Sequence, residues 1–452
     1  MNIVVAGMGE VGRYIASRLI RDGHDVTVID ARSDAVARAE ETLDVLSVRG
    51  HAANAASLRA ARVDRADLFI GVTDRGEVNM ISCLRAKMLG CKKTFARVQE
   101  RDYFEDERGV YTDMFGIDLV INPTFLLAQE IHKLIRTQGA VAVEDFADNQ
   151  IEMVQIAVDM DAAPIGRPLR ELRLPAGTLV AGVLRRDELI IPHGGDVLLY
   201  NDQVLAIGRI EEIPKLEHMF GRDRDRMNRR TFIMGGGETG LSLALTLCAE
   251  GTDVVLIEPS REKAQALAEK LPRATVLHGD GTDVHMLEEE GIHRCDVFAA
   301  VGAVDEHNLM AALLAKDLGA ARCITLVNRP DYINVCGRLG LEATLSPRLV
   351  VAREVLRHLP KGQVLTTTPV LGGRGLFVEI RVGESSRMAG RPLRDVQFPR
   401  GALLCAAFAT GGGAFIPNGD TVLQPDWRAV AFCRPAMLPA VQRLFEPRWL
   451  AV

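Results

Sequence analysis

The second half of this chain repeats the first, and no other feature of the sequence restricts the fold as strongly. Corresponding residues occur in the same order in both halves, separated by 224 to 229 positions. The pairs are Gly7, Gly9 and Gly12 with Gly235, Gly237 and Gly240, Asp30 with Glu258, Gly50 with Gly279, Asp67 with Asp296, Asn79 with Asn308, Tyr103 with Tyr332, Pro123 with Pro347, Gly166–Arg170 with Gly390–Arg394, Gly195-Asp196 with Gly419-Asp420, Pro214 with Pro439 and Phe220 with Phe445. So narrow a range of separations indicates a duplicated module.

Length and composition limit what the two modules can be. The chain has 452 residues, of which 48% are hydrophobic and 25% charged, as in ordinary globular proteins with several domains. A net charge of −6 and 5% aromatic residues argue against nucleic-acid binding. The eight cysteines form no C-x-x-C pair, so we expect buried thiols and no metal site. No signal peptide and no apolar run of about 18 residues is evident, which favours a soluble, cytoplasmic protein.

The first part of each module alternates short apolar runs with Ala- and Leu-rich helical stretches, the pattern of a parallel α/β sheet. The predicted strands are Asn2–Ala6, Asp25–Ile29, Leu46–Val48, Leu68–Val72, Lys93–Val98 and Leu119–Ile121, then Thr231–Met234, Asp253–Ile257, Ala274–Leu277, Val297–Val301, Cys323–Val327 and Ala343–Leu345. Six strands in each copy fit a doubly wound Rossmann-like sheet.

The second part of each module reads as a small α+β lobe, which we call the C-lobe. Its predicted strands in the first copy are Val154–Val158, Leu179–Leu184, Glu188–Ile191 and Gln203–Ile207. A helix joins the two parts, because Asn122-Pro123 and Ser346-Pro347 each place a capping residue before a proline at the first helical position. The expected division is a Rossmann lobe at 1–121, a connecting helix and linker at 122–149, a C-lobe at 150–221, a charged linker at 222–230, a second Rossmann lobe at 231–345, a second connecting helix and linker at 346–364 and a second C-lobe at 365–452.

Both copies carry a G-x-G-x-x-G loop between a buried strand and a helix, with an acidic residue at the end of the next strand. Such glycines let a pyrophosphate approach the backbone and the helix N-terminus, and the acid accepts hydrogen bonds from ribose hydroxyls. Asp30 and Glu258 would therefore favour NAD-like or adenine nucleotides over a 2′-phosphorylated form. In the second copy, a Rossmann fold kept only as scaffold remains the alternative. Glu10 and Glu238 are unusual neighbours for a phosphate, and the sequence does not show where their carboxylates point.

The two copies differ at positions that border the expected ligand. Arg97 follows the fifth strand of the first copy and could reach a phosphate, whereas Leu326 stands there in the second. A surface ion pair is the alternative for Arg97. His51 is interpreted as a polar contact or surface residue rather than a catalyst. The candidate binding residues share positions around the strand ends and are Gly7, Met8, Gly9, Glu10, Val11, Gly12, Asp30, His51, Ala52, Thr73 and Arg97, with Gly235, Gly237, Glu238, Thr239, Gly240, Glu258, Gly279 and Asp280.

These motifs resemble those of RCK (regulator of potassium conductance) domains. The resemblance rests on the glycine loop, the turn after the third strand, the fourth strand Asp67–Thr73, and the sequences Gly-Arg-Pro-Leu-Arg and Pro-x-Gly-x-x-Val/Leu in the C-lobes. Two such modules in one chain are similar to the TrkA-type regulatory subunit of the Trk potassium uptake system. The resemblance implies a regulator that binds NAD(H) and ATP or ADP, forms a homotetramer and contacts the membrane only through an integral-membrane transporter. It also implies no catalysis.

Three other functions are compatible with the residues. An NAD-dependent dehydrogenase would need a substrate domain with catalytic groups, and the C-lobes offer His193 and little else of that kind. The same modules could regulate another cation transporter or an antiporter. The C-lobes could also sense a cyclic dinucleotide.

Overall fold

The computed structural model describes residues 1–99, 114–137, 140–146, 150–220, 230–329, 331–341, 343–359, 364–409 and 412–446. Tyr103 and the predicted linker residues 222–229 lie outside the described residues. The chain divides into two compact units, Met1–His132 with Arg230–Leu356 and Lys133–Arg229 with Arg357–Val452. Lobes of the same type from the two copies therefore belong to the same unit.

The first lobe of the first unit contains a six-stranded parallel sheet in the order β3-β2-β1-β4-β5-β6. Its strands are β1 (Asn2–Ala6), β2 (Asp25–Asp30), β3 (Leu46–Arg49), β4 (Leu68–Gly71), β5 (Lys93–Arg97) and β6 (Leu119–Ile121). Its helices are α1 (Glu10–Arg21), α2 (Ser33–Thr42), α3 (Ala55–Ala60) and α4 (Gly76–Leu89), followed by α5 (Pro123–Arg136). The chain crosses from one side of β1 to the other after β3, which opens a crevice at the carboxyl ends of the strands.

The second lobe of this unit repeats the arrangement, with the strand order β14-β13-β12-β15-β16-β17. Its strands are β12 (Arg230–Met234), β13 (Asp253–Glu258), β14 (Thr275–His278), β15 (Val297–Ala300), β16 (Arg322–Leu326) and β17 (Ala343–Leu345). Its helices are α7 (Glu238–Ala249), α8 (Arg261–Lys270), α9 (Val284–Glu289), α10 (Asp305–Asp317), α11 (Asp331–Arg338) and α12 (Pro347–Arg357). The predicted pair of doubly wound sheets is confirmed, and Arg230, expected in the linker, begins β12.

Close packing of the glycine loop fixes where α1 begins. Gly7 adopts a φ of 101°, and a Cβ at Gly12 would lie 1.8 Å from the Gly7 carbonyl oxygen. The second lobe has the same geometry, since a Cβ at Gly240 would lie 2.0 Å from the Gly235 carbonyl oxygen. The first and third glycines are therefore required for the helix to approach the strand this closely.

At corresponding positions the two Rossmann cores distribute side-chain volume differently between a strand and the turn that faces it. Ala6 and Ala52 of the first lobe correspond to Met234 and Gly281 of the second, where a Cβ on Gly281 would lie 2.2 Å from Met234 Cγ. A large residue on the strand is thus matched by the loss of a side chain on the facing turn. This exchange keeps the total packed volume nearly constant.

A second exchange of the same kind involves the middle residue of the glycine loop. Met8 is buried in the first lobe, and the helical position that corresponds to Leu267 is Ala39. In the second lobe the loop residue is Gly236, and a Cβ there would lie 2.3 Å from Leu267 Cδ1. The two exchanges show that each lobe has a core packed for its own set of side chains.

The second unit contains two five-stranded sheets, in the orders β10-β9-β11-β8-β7 and β18-β19-β22-β20-β21. The strands are β7 (Ala140–Phe146), β8 (Ile151–Ala157), β9 (Thr178–Arg185), β10 (Glu188–Ile190), β11 (Gln203–Arg209), β18 (Val364–Val370), β19 (Gly375–Arg381), β20 (Ala402–Phe408), β21 (Ala414–Phe415) and β22 (Arg428–Cys433). The helices are α6 (Ile213–Met219) and α13 (Leu438–Phe445). The neighbouring strands of both sheets run antiparallel.

The edge strand β7 was missing from the sequence prediction, and no individual strands were predicted for the second C-lobe, whose edge strand is β18. Glu144 and Asp145 follow one another in β7, and β18 contains Thr-Thr-Thr-Pro, so neither segment alternates clearly between apolar and polar residues. The structure places Asp145 in an ion pair with Lys133 and pairs β18 along β19. These strands form because of their neighbours rather than because of their own pattern.

Residues of both C-lobes form a shared hydrophobic core. The Phe146 ring of the first C-lobe packs at a tilt against the Phe377 ring of the second, with their centroids 5.3 Å apart, and the Phe377 centroid lies 4.6 Å from that of Phe432. A Cβ at Gly182 would lie 2.8 Å from the Phe432 ring, so the glycine makes room for that ring between the sheets. Arg434 donates across the interface to the Leu189 carbonyl oxygen at 2.8 Å. The second unit is thus stabilised by contacts between the copies.

The two connecting helices begin at the predicted prolines but are capped differently. Asn122 Oδ1 accepts hydrogen bonds from the Thr124 and Phe125 backbone N–H groups, both at 3.0 Å. Ser346 was expected to play the same role before α12, and this is wrong. Its hydroxyl is buried and finds no partner among the described residues, while its carbonyl oxygen accepts from Val350 N–H.

All eight cysteines are buried free thiols. Burial raises the pKa of Cys295 and that of Cys323 to about 12, so these thiols are neutral at physiological pH. No helix within the described ranges is long and apolar enough to cross a membrane.

The volume exchange in the second lobe generates a testable prediction. We expect Gly281→Ala to lower the free energy of unfolding by about 1–3 kcal/mol, because the new Cβ overlaps Met234. We expect Met234→Ala alone to cost about 2–5 kcal/mol through the cavity it leaves. The double variant restores the alanine pair of the first lobe, so it should be more stable than the sum of the single effects predicts. Denaturant unfolding of all four proteins measures this coupling, and strict additivity would contradict the packing argument.

Candidate functional site

A cavity of about 530 Å³ lies at the carboxyl ends of the first Rossmann sheet. Nine of the predicted residues line it: Gly7, Gly9, Glu10, Val11, Asp30, His51, Ala52, Thr73 and Arg97. Met8 and Gly12 do not, since the Met8 side chain is buried and Gly12 packs against the Gly7 carbonyl. Their contribution is to the shape of the loop.

A second cavity of about 590 Å³ occupies the same place in the second lobe. The predicted residues that line it are Gly235, Gly237, Glu238, Thr239, Glu258 and Asp280. Gly240 and Gly279 do not line the cavity. A Cβ on Gly279 would lie 2.4 Å from the Met286 sulfur, so that glycine is required for packing.

The acid after the second strand is held in the same way in both lobes. Asp30 accepts hydrogen bonds from Met8 N–H at 2.6 Å and from Arg32 N–H at 2.8 Å. Glu258 accepts from Gly236 N–H and Ser260 N–H, both at 3.0 Å. Each carboxylate oxygen keeps a further lone pair that can accept a hydrogen bond from a ribose hydroxyl.

The loop before each first helix offers donors for an anion. Gly9 and Gly237 occupy the N-cap positions of α1 and α7, and neither helix has a side chain capping it. Backbone N–H groups and the positive end of the helix dipole therefore face the cavity. This arrangement suits a pyrophosphate next to the ribose-binding acid.

A buried asparagine ties the ends of the fourth and fifth strands together in each lobe. Asn79 accepts from Thr73 N–H at 2.9 Å and from the Thr73 hydroxyl at 2.7 Å, and it donates to the Thr73 and Arg97 carbonyl oxygens at 3.1 and 2.7 Å. Asn308 makes the corresponding bonds to Gly302 and Leu326. The sequence analysis recognised these asparagines as corresponding residues of the two copies but predicted no role for them. The structure shows that Asn79 positions two cavity residues.

Charge differs between the two cavities. Arg32, Arg75, Arg97 and Arg348 line the first, together with the acids Glu10, Asp30 and Asp74. Lys263, Arg97 and His307 line the second, together with Glu238, Glu258 and Asp280. The first cavity therefore has more permanent positive charge.

His51 in the first lobe is replaced by Asp280 in the second. Asp280 accepts hydrogen bonds from the Thr282 backbone N–H at 2.9 Å and from its hydroxyl at 2.8 Å, which lowers the pKa of Asp280 below its ordinary value. This turn therefore carries a negative charge in the second cavity, where the first cavity has a histidine.

Each cavity is completed by the other Rossmann lobe. Asn328, Pro347 and Arg348 of the second lobe and its connecting helix line the first cavity. Val11, Arg97, Gln99, Pro123, Thr124 and Leu127 of the first line the second. Pro123 and Pro347 are corresponding residues, so the two cavities are related by an approximate twofold exchange of the lobes. Val11 and Arg97 were predicted for the first site only, and the sequence analysis assigned the other residues to neither cavity. The proline that starts each helix was the available signal.

Across the described ranges, two ion pairs and one histidine–glutamate hydrogen bond also join the lobes. Arg348 lies 2.8 Å from Glu10, Arg353 lies 3.5 Å from Glu130, and His132 lies 2.9 Å from Glu250. The first of these pairs is inside a cavity. Among the described residues, no group of three or more His, Cys, Asp or Glu side chains is placed to hold a metal ion.

The chain matches two known domain families in alternation. The TrkA-N domain matches residues 3–123 and 231–347, and the TrkA-C domain matches residues 153–221 and 377–446. The Trk system potassium uptake protein TrkA homolog 1 of Methanosarcina mazei is 36% identical, with 99% of this chain and 100% of the relative covered. The Trk system potassium uptake protein TrkA of Azorhizobium caulinodans is 31% identical, with 99% of each covered. These matches extend over both modules.

The fold is also similar to that of a solved structure. A GsuK channel bound to NAD superimposes with a TM-score of 0.62 at 19% identity, covering 98% of this chain and 78% of the channel chain. The predicted order of two Rossmann and two C-lobes is therefore confirmed.

The asparagine that ties β4 to β5 yields a prediction. Asn79→Ala would leave the Thr73 N–H and the Thr73 and Arg97 carbonyl groups without this partner. We expect each buried group that loses its hydrogen bond to lower the free energy of unfolding by about 1–3 kcal/mol. We also expect the first cavity to bind its ligand more weakly, because Arg97 shifts. Thermal unfolding measures the stability loss. The control is Asn54→Ala, which removes only an exposed helix cap and should cost about 1 kcal/mol. Equal losses in both variants would contradict the assigned role.

Proposed function

The chain belongs to the TrkA family, and from this premise we propose that it is a nucleotide-binding regulatory subunit that gates a potassium uptake transporter. Its relatives are regulatory proteins of potassium uptake rather than enzymes, as the sequence predicted. We propose that it binds NAD(H) and ATP or ADP in the Rossmann cavities. Binding would change potassium flux through contact with the transporter.

The observation that carries the proposal is that each cavity is lined by both Rossmann lobes. A ligand in such a cavity contacts two bodies at once, so its affinity depends on how they are placed. A ligand shifts a conformational equilibrium only through differential affinity for the two states. Couplings of about 1–3 kcal/mol at each cavity would add in a symmetric assembly.

The residues of the two cavities favour different nucleotides. Asp30 and Glu258 suit an unphosphorylated ribose in both. The additional arginines of the first cavity favour a nucleoside di- or triphosphate such as ADP or ATP. Arg97 lines both cavities, whereas Arg32, Arg75 and Arg348 line only the first, and the second carries the negative Asp280. We propose that it takes NAD(H), the ligand named for the GsuK channel of similar fold.

The proposed partner is an integral-membrane subunit of a Trk-type transporter, on the cytoplasmic face of the membrane. We propose a homotetramer, in which the chain contacts the membrane only through this partner. Family membership supports a Trk-type partner, since the relatives are named for the Trk system. Regulation of another cation transporter or an antiporter by the same modules is the competing outcome.

The ligand proposal predicts the effect of removing each ribose-binding acid. Isothermal titration with ATP, ADP, NAD+ and NADH should show saturable binding to the full chain. We expect Asp30→Ala to weaken binding at the first cavity by about tenfold or more, because charge-assisted hydrogen bonds to the ribose are lost. Glu258→Ala should do the same at the second. The control Asp64→Ala removes an exposed carboxylate that pairs with Arg65 outside both cavities and should change nothing. Absence of binding at millimolar nucleotide would overturn the proposal.

The partner proposal predicts a flux measurement. In proteoliposomes that contain a Trk-type integral-membrane subunit, potassium flux should respond to nucleotide only when this chain is added. Asp30→Ala should remove the response to the ligand of the first cavity, because binding and gating are linked. Normal nucleotide binding without any change in potassium flux would instead favour a different transporter as the partner.

A further inference from the structure

Arg348 reaches the glycine loop of the other Rossmann lobe. It is the second residue of α12, and its Nη1 lies 2.8 Å from Glu10 Oε2 at the start of α1. Both side chains line the first cavity together with Gly7 and Gly9. The ion pair therefore lies where the loop offers its donors to an anion.

Glu10 supplies a negative charge to that place from within the protein. It is the first residue of α1, a helix whose N-cap Gly9 provides no capping side chain. A negative group next to a helix N-terminus is stabilised by the dipole, and the same holds for a phosphate. Its side chain is 51% exposed, whereas that of Arg348 is 21% exposed. The carboxylate is therefore the more easily displaced of the two partners.

We propose that Arg348 binds the terminal phosphate of a nucleotide in the first cavity, and that Glu10 competes with this phosphate for the arginine. This inference rests on the proposed function and deepens it. A nucleoside triphosphate carries an extra charged group at its end, where a dinucleotide continues into a second nucleoside. The triphosphate therefore gains most from Arg348, because guanidinium groups bind phosphate oxygens in a bidentate manner.

In the part of the chain that the structure describes, the second cavity lacks an ion pair that corresponds to Glu10–Arg348. The residue that corresponds to Arg348 is Thr124, which lines the second cavity and carries no charge. Its N–H and hydroxyl both donate to Asn122 Oδ1, at 3.0 and 2.6 Å. Glu238, which corresponds to Glu10, therefore meets a neutral residue at this position. Among the described residues, the pairing of the helix-start glutamate with an arginine of the other lobe is thereby limited to the first cavity.

Displacement of Glu10 would replace a direct contact between the lobes by one made through the ligand. In the structure, Arg348 joins the lobes through the Glu10 carboxylate. With a triphosphate bound, the same arginine would join them through the phosphate, at a distance set by the ligand. A ligand without a terminal phosphate would leave the Glu10–Arg348 pair in place. The ion pair thus makes the contact between the lobes depend on phosphate number.

The test is isothermal titration of the full chain with ATP, ADP and NAD+, using two variants of opposite expected sign. We expect Arg348→Gln to weaken ATP binding by about tenfold or more and to affect NAD+ by less than about twofold. Glu10→Gln removes the competitor, so we expect ATP to bind several times more tightly. A gain in ATP affinity cannot arise from misfolding. Glu10→Gln therefore still tests the proposal if Arg348→Gln proves unstable.

The matched control is Arg353→Gln on the same helix. Arg353 also pairs with an acid of the other lobe, Glu130 at 3.5 Å, but it does not line the cavity. Its variant should bind ATP as the wild type does. The proposal is overturned if neither Arg348→Gln nor Glu10→Gln changes ATP affinity, or if ATP and NAD+ change equally. In those cases the proposed function stands, whereas a wild-type chain that binds no nucleotide would remove both.

Discussion

The contact between the third glycine of each loop and the carbonyl oxygen of the first is the constraint on which the Rossmann lobes depend. A Cβ at Gly12 would lie 1.8 Å from the Gly7 oxygen, so no other residue allows α1 to start where it does. That position of the helix aims its unpaired N–H groups at the cavity and brings the loop beside Asp30. It also places Glu10 within reach of the other lobe. The cavity, its acid and its contact between the lobes follow from one close approach of backbone to backbone.

Much of this structure could be predicted from the sequence, because the relevant signals are local or repeated. The strands of both Rossmann sheets were located to within one residue, since each apolar run was supported by its copy in the other half. The edge strand β7 was missed because its pairing with β8 outweighs its own polar residues. Ser346 failed as a cap although its sequence context matched that of Asn122. Local patterns do not determine whether a buried hydroxyl finds a partner.

The candidate site was predictable only on the side that belongs to its own lobe. Gly9, Asp30 and Arg97 follow from the order of strands and turns, which fixes what lies at the carboxyl ends of a parallel sheet. Arg348 is 338 positions from Glu10, and only the packing of one lobe against the other brings them together. No periodicity or motif encodes such a contact. The asymmetry between Arg348 and Thr124 therefore became visible only after the two lobes were seen to complete each other's cavities.

The exchanged volumes in the Rossmann cores affect how a chain with two similar halves folds correctly. Tandem domains of like sequence are prone to mispairing during synthesis, when a strand from one copy can insert into the unfinished sheet of the other. If β12 entered the first sheet, Met234 would face Ala52 and overfill the core. If β1 entered the second, Ala6 would face Gly281 and leave a void. Both errors would lower the stability of the mispaired sheet, so the complementary residue pairs favour the pairing of each strand with the turn of its own lobe. The same incompatibility would select against recombination between the two halves of the gene.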